Sequence, residues 1–281
     1  MKVVYRDEQT ARGNTSFSPS AGKPALFVDM IKSDPDVEIF SDWEPLTRDD
    51  LYLVHDREHV DAILECRKPN GFGNNLKAVA DSLLFTSGSF YHAARIAIRE
   101  GVAISPTSGF HHSCYASSGG FCTFNGLMAA AVLIYRAGLV DRIGIIDFDA
   151  HWGNGTVDII QRLGIKYIDH MSFTEHYPRD HDLWLKGLYD SLSTMFCSTS
   201  ILFYQAGADP HVDDPLGGSL TTEKMRLRDR IVFEYAHARS IPIVWNLAGG
   251  YQNPIEKVLS LHNNTFMECK KLYGSNRNDP A

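Results

Sequence analysis

Hydrophobic positions along the chain follow two periods. Short, nearly continuous apolar runs at Lys2 to Tyr5, Val102 to Ile104, Arg142 to Asp147, Ile165 to Asp169, Ile201 to Gln205 and Pro242 to Leu247 predict strands. Their lack of polar alternation predicts a sheet covered on both faces. Between and around them, apolar residues at helical spacing predict helices over Ala25 to Ile31, Leu51 to Leu64, Leu76 to Glu100, Thr123 to Ala137, Gly153 to Arg162, Leu183 to Phe196, Thr221 to Ala238 and Ile255 to Lys270. Gly101 suits the position just past the end of the Leu76 to Glu100 helix. Strands alternating with helices predict an open α/β fold, with a mostly parallel sheet, right-handed crossovers and helices on both faces. No internal repeat or linker divides the chain, so residues 1–281 are read as one domain.

Composition narrows the classes. Hydrophobic residues make up 44% and charged residues 22%, an ordinary globular balance, and no apolar run is long enough to span a bilayer. The N-terminal stretch is strand-like and lacks the basic-then-apolar layout of an export signal. Five cysteines without a CxxC pair suit reduced thiols, so a cytoplasmic location is expected. A formal charge of −7 argues against a nucleic-acid partner, which needs a concentrated basic face. The oligomeric state is left open.

The stretch from Arg142 to Asn154 carries the densest candidate chemistry. After its apolar half come Asp147, Asp149 and His151, which alternate and would share one side of a strand end if the chain stays extended. Three ionisable groups after so apolar a strand are costly unless used. Asp149 and His151 can hold one metal ion together, with Asp147 placed behind them. Ala206-Gly207-Ala208-Asp209 follows another strand and delivers a second carboxylate. The tandem pair His111 and His112 lies in a Gly-rich loop, and adjacent rings suit different jobs, one moving a proton and one supplying charge or orientation. Gly249-Gly250-Tyr251 lets the backbone approach a ligand and puts one phenol at the rim. A second pair, His55 and His59, lies one turn apart in the order His-Asp-Arg-Glu-His, without the Glu position of a zinc-protease motif. These two read as solvated helix-face residues.

Together the loops resemble the zinc-dependent histone deacetylase family, within the arginase/deacetylase superfamily. The resemblance runs from Leu53-Val54-His55-Asp56 through Gly109-Phe110-His111-His112, Gly120-Phe121-Cys122, Asp147-Phe148-Asp149-Ala150-His151, Ala206-Gly207-Ala208-Asp209 and Asp214-Pro215-Leu216-Gly217-Gly218 to Gly249-Gly250-Tyr251. It implies an arginase/deacetylase-like fold and one Zn²⁺ per chain held by Asp149, His151 and Asp209. It implies also that His111 and His112 are the catalytic pair, oriented by Asp147 and Asn154, and that Tyr251 polarises the scissile carbonyl. Of the tandem pair, His112 is read as the base. Gly120, Phe121 and Tyr177 would line the substrate channel, and a structural K⁺ would be held by carbonyls around Asp147 to His151. The implied reaction removes an acetyl or other short acyl group from a lysine side chain or a small amine such as a polyamine.

The departures shape the expectation. Asn154 stands where the family often has Asp, Trp152 where it commonly has a second His, and the N-terminal signature is replaced over Phe17 to Pro24. Without basic tails, a compact bacterial-type deacylase fits better than a chromatin enzyme. A ureohydrolase-like binuclear enzyme would need carboxylates where Gly153 and His211 stand. A non-catalytic module that binds acylated ligands is disfavoured by retention of both histidines, the Tyr and every expected metal ligand.

Overall fold

A computed structural model describes residues 1–14, 16–173 and 180–274. Within it, strands β1 (Lys2–Val4), β2 (Glu38–Phe40), β3 (Val102–Ser105), β4 (Ile143–Asp147), β5 (Ile168–Ser172), β6 (Ile201–Gln205) and β7 (Ile243–Asn246) form a seven-stranded sheet in the order β2-β1-β3-β7-β6-β4-β5. Every pairing is parallel. The helices are α1 (Lys23–Ile31), α2 (Arg48–Leu51), α3 (Arg57–Leu64), α4 (Lys77–Glu100), α5 (Gly126–Arg136), α6 (Asn154–Arg162), α7 (His181–Met195), α8 (Thr222–Ala238) and α9 (Glu256–Tyr273).

Successive strand residues enter two different cores, which is why the strands read as unbroken apolar runs. Val4, Ala103, Ile145, Phe203 and Val244 pack with Phe90 and Ala94 of α4 and Leu127 and Ala131 of α5. Val3, Ile104, Ile146, Tyr204 and Trp245 face the other way, against Phe27 of α1, Leu188 of α7, Phe233 of α8 and Phe266 of α9. The predicted architecture, an open parallel sheet with helices on both faces, is the one observed.

Three local expectations are corrected. Strand β2 was not predicted, because Glu-Ile-Phe is a three-residue edge strand with no buried position of its own to mark it. Strand β5 begins at Ile168 rather than Ile165. The amide of Ile165 donates to the Ile160 carbonyl and closes the end of α6, so pairing with β4 starts at Ile143 opposite Ile168. The helix expected over Leu51 to Leu64 is two helices, because the Asp56 side chain accepts from the His59 amide and caps α3 as a new start. His55 falls in the break. Among the described residues no helix is long and apolar enough to cross a membrane. All five cysteines are free thiols.

A candidate metal centre at the carboxyl edge of the sheet

Strands β3, β7, β6 and β4 are consecutive neighbours, so the loops leaving their carboxyl ends meet in one place. The extended conformation expected to align Asp147, Asp149 and His151 stops at Asp147. Two side-chain turns take over. The Asp149 amide donates to Asp147 Oδ1 at 3.3 Å, and the His151 amide donates to Asp149 Oδ1 at 3.0 Å. The acidic side chains therefore shape the turn that presents them.

Asp149, His151 and Asp209 offer ligand atoms that all lie within 4.8 Å of one another. Both carboxylates are buried. Asp209 Oδ1 accepts from the Ala150 amide at 3.1 Å, while Oδ2 is buried without a hydrogen bond and stands 2.8 Å from His151 Nδ1. His151 Nε2 lies 2.9 Å from the Leu216 carbonyl, which fixes the proton there in a neutral ring and leaves a lone pair on Nδ1 facing two carboxylates. Three electron-rich atoms aimed at one another demand a cation. In the metal-free chain a proton suits that role: the Asp149 and Asp209 carboxylates facing the ring raise the His151 pKa to about 11. Burial and the nearby Asp149 likewise push Asp209 up to about 7. Gly249, at φ +53°, makes room, since a Cβ there would come 2.4 Å from Asp209 Oδ1 and 2.8 Å from Asp149 Oδ2. The donor set fits a divalent ion such as Zn²⁺, and equally Fe²⁺ or Co²⁺. His211, where a binuclear site would need a carboxylate, instead pairs through Nε2 with Thr222 Oγ1 at 3.0 Å.

The tandem histidines receive different partners. His111 Nδ1 donates to Asp147 Oδ2 at 2.7 Å, and its Nε2 lies 3.5 Å from Asp149. Burial opposes charge on this ring, but Asp147 and Asp149 outweigh it and raise its pKa to about 9. His112 Nδ1 donates to the Asn154 amide oxygen at 2.6 Å, which leaves Nε2 as the free lone pair. Burial and the neighbouring His111 cation lower its pKa, only partly countered by the Asn154 bond. Gly120 lies against this ring, because a Cβ there would come 2.3 Å from His112 Cδ2. The glycine expected in the channel wall thus makes space for the histidine.

Tyr251 completes the group. Its amide donates to Asp214 Oδ2 at 2.8 Å, and burial, with Asp149 and Asp209 nearby, keeps the phenol protonated far above the usual range. The Tyr251 ring stands 5.4 Å from Phe121 and 6.2 Å from Phe17, which stacks on it while remaining 64% exposed. The replaced N-terminal signature therefore supplies an aromatic rim. Tyr177 lies outside the described residues.

Several supporting residues were not anticipated. Gln205 Nε2 donates to Asp147 Oδ1 at 2.9 Å, and His170 Nε2 stands 3.8 Å from Asp147 Oδ2. Lys23 is fully buried and donates to the Gly249 carbonyl at 2.5 Å, so it holds the loop that carries Tyr251. Burial lowers this lysine's pKa to about 7 despite the favourable carboxylates of Asp209 and Asp149. A polar residue ending an apolar strand was the signal for Gln205; nothing in spacing marked Lys23 or His170.

His55 and His59 are not solvated. They are 1% and 3% exposed. His55 Nδ1 donates to the Cys114 carbonyl at 3.0 Å and Nε2 accepts from the Asn125 amide at 2.9 Å, while His59 meets Ser118 Oγ at 3.1 Å and Lys68 Nζ at 3.2 Å. The helix break turns them inward, where they pin the loop between His112 and α5.

Residues 25–196 match the histone deacetylase domain. An uncharacterized protein of Picosynechococcus is 27% identical over 79% of this chain and 82% of its own length. Histone deacetylase 2 of Arabidopsis thaliana is 30% identical over 60% of this chain, and the match spans about half, 49%, of that protein. Among solved structures, the acetylpolyamine aminohydrolase of Burkholderia pseudomallei superposes with a TM-score of 0.73 at 15% identity, covering 97% of this chain and 99% of that one.

Proposed function

The chain belongs to the histone deacetylase domain family, and on that footing we propose that it is a zinc-dependent amidohydrolase that removes an acetyl or other short acyl group from a lysine side chain or a small primary amine. The observation that carries this reading is the convergence of the Asp149, His151 and Asp209 donors beside two histidines with opposite proton preferences. Similarity to a histone deacetylase and to an acetylpolyamine aminohydrolase supports a deacetylase acting on an acylated amine. Five unpaired thiols support a reducing, cytoplasmic setting.

When bound by Asp149, His151 and Asp209, Zn²⁺ supplies a Lewis acid that polarises the acyl carbonyl and acidifies water. His112, with its Nε2 lone pair free, takes the proton of the attacking water and returns it to the leaving amine. His111, held cationic by Asp147, adds positive charge beside the reacting carbonyl. Tyr251, kept protonated, donates to the developing oxyanion. Phe121, Phe17 and Tyr251 give the entrance apolar walls suited to the alkyl stem of the amine. No serine or cysteine nucleophile is needed; burial holds the Cys122 thiol protonated.

The test joins metal analysis to a substrate panel. Elemental analysis should find one transition-metal equivalent per chain in wild type and little in Asp209→Ala. The metal-loaded protein should turn over at least one member of a set of acyl-lysine peptides and acylated polyamines. Two equivalents would favour a binuclear ureohydrolase-like enzyme. Full metal occupancy with no turnover across the panel would favour a binding module.

A further inference from the structure

Behind the two carboxylates lies a second buried charge system with no part in the reaction described above. Arg228, on α8, is fully buried. Its Nη1 donates to two backbone carbonyls, Phe148 and Gly207, each at 3.0 Å. The first belongs to the peptide that leads into Asp149, at the end of β4. The second lies in the turn after β6 that leads to Asp209. One nitrogen thus ties together the two backbone segments whose side chains form the candidate metal site.

The arginine is itself held from behind. Its Nε donates to Asp229 Oδ1 at 2.8 Å. Asp229 also accepts from the Tyr204 hydroxyl and, at 2.6 Å, from Thr265 on α9. A buried ion pair of this kind adds little net stability over apolar packing, because desolvation offsets the attraction, so its retention calls for a geometric reason. A planar guanidinium can grip its carboxylate with one edge while a separate N–H pair reaches other acceptors; a lysine ammonium is a point charge on a flexible stem.

Resting on the metal-dependent reading given above, we infer that Arg228 is a positioning residue for the metal centre: by clamping the Phe148 and Gly207 carbonyls it sets the separation of Asp149 and Asp209, and thereby the affinity and coordination geometry of the ion. Residues behind metal ligands commonly influence affinity about 10- to 100-fold when removed. Here the contact is through backbone rather than through a ligand side chain, so each ligand keeps its own chemistry when the clamp is lost and only the spacing relaxes.

The experiment uses the full chain, stripped of metal and reloaded with Co²⁺. Affinity is read by competition with a chromophoric chelator, and geometry by the visible absorption of the cobalt protein. Arg228→Lys is compared with Asp229→Asn, which weakens the buried ion pair but leaves the Nη1 bonds to both carbonyls. Arg228→Lys should bind Co²⁺ about 10- to 100-fold more weakly and with an altered spectrum. Asp229→Asn should keep the wild-type spectrum and nearly the wild-type affinity, even with a lower melting temperature. If Arg228→Lys does not fold, Arg228→Gln, which keeps one amide donor, is read in the same way. Wild-type affinity and spectrum in the arginine variant would overturn the inference alone. Failure of wild type itself to bind Co²⁺ would instead overturn the metal-dependent reading and the inference with it.

Discussion

His111 and His112 are adjacent in sequence with ring centroids 4.0 Å apart, and His55 and His59, either side of the α3 start, have centroids 6.3 Å apart. Both pairs stood out in the sequence, and both end up close to the same loop. Their partners differ. The tandem pair is bonded to a carboxylate on one ring and an amide on the other, which drives the first pKa up to about 9 and leaves the second lowered. In the other pair burial acts first on both rings, and both fall to about 4. Environments that push two pKa values apart assign acid and base roles; environments that push both the same way do not. What distinguishes the proposed proton-transfer pair from the second pair is the chemistry on the far nitrogen of each ring, not the spacing of the residues.

The largest expected effect is on turnover. His112→Ala should lower kcat by about 10³- to 10⁴-fold at every pH, the upper range for loss of a general base. His111→Ala should leave measurable activity with a changed pH profile, and His59→Gln should keep kcat near the wild-type value. Metal content is checked in each variant. If His111→Ala is the more damaged of the tandem variants, the base has been placed on the wrong ring. Next in size is Tyr251→Phe, which removes one oxyanion donor and should cost about 10²- to 10³-fold in kcat with metal content unchanged. Near-normal turnover would make this ring part of the rim packing only.

How much of this was legible in the sequence follows from how local each cause is. Strand runs and the candidate ligand residues Asp149, His151 and Asp209 are visible because burial and polarity contrast within a few positions. The fate of His55 was not, because it depends on Asp56 ending one helix and starting another, and on carbonyls contributed by Cys114 and Tyr115 much later in the chain. Arg228 looks like an ordinary surface cation on a helix and Lys23 like a polar residue of the Phe17 to Pro24 segment, and only tertiary packing shows that each reaches a backbone carbonyl beside the candidate metal site. His170 was hidden by a strand assigned to begin too early.

The third effect separates the pairs by stability instead of activity. His55 has a folded-state pKa of about 4, below the ordinary value of 6.5, so the unfolded chain binds the extra proton more readily. Stability that is present above pH 6.5 is therefore lost as pH falls toward and through 4, by on the order of 3 kcal/mol for this ring. His59 adds in the same direction. Urea unfolding of the metal-free protein at a series of pH values should show this slope, and His55→Gln should flatten it. An equal slope in wild type and His55→Gln would mean that other groups govern acid unfolding.

The smallest effect is the most specific, because it changes a single atom pair in the tandem site. Asn154 presents an amide oxygen to His112 Nδ1 at 2.6 Å, a bond that orients the ring without a full negative charge. Asn154→Asp would place a carboxylate there, favour the imidazolium and raise the His112 pKa. The base works only when neutral, so activity is present above this pKa and lost below it; raising the pKa moves the acidic limb of kcat/KM to higher pH. The variant should thus lose activity at acidic pH while approaching wild-type rates in more alkaline solution, with metal content unchanged. His111 already has a carboxylate partner, so the substitution makes the two rings more alike and tests whether their difference matters. An acidic limb that stays where it was in wild type would show that the ring whose titration controls the rate is not the one facing Asn154.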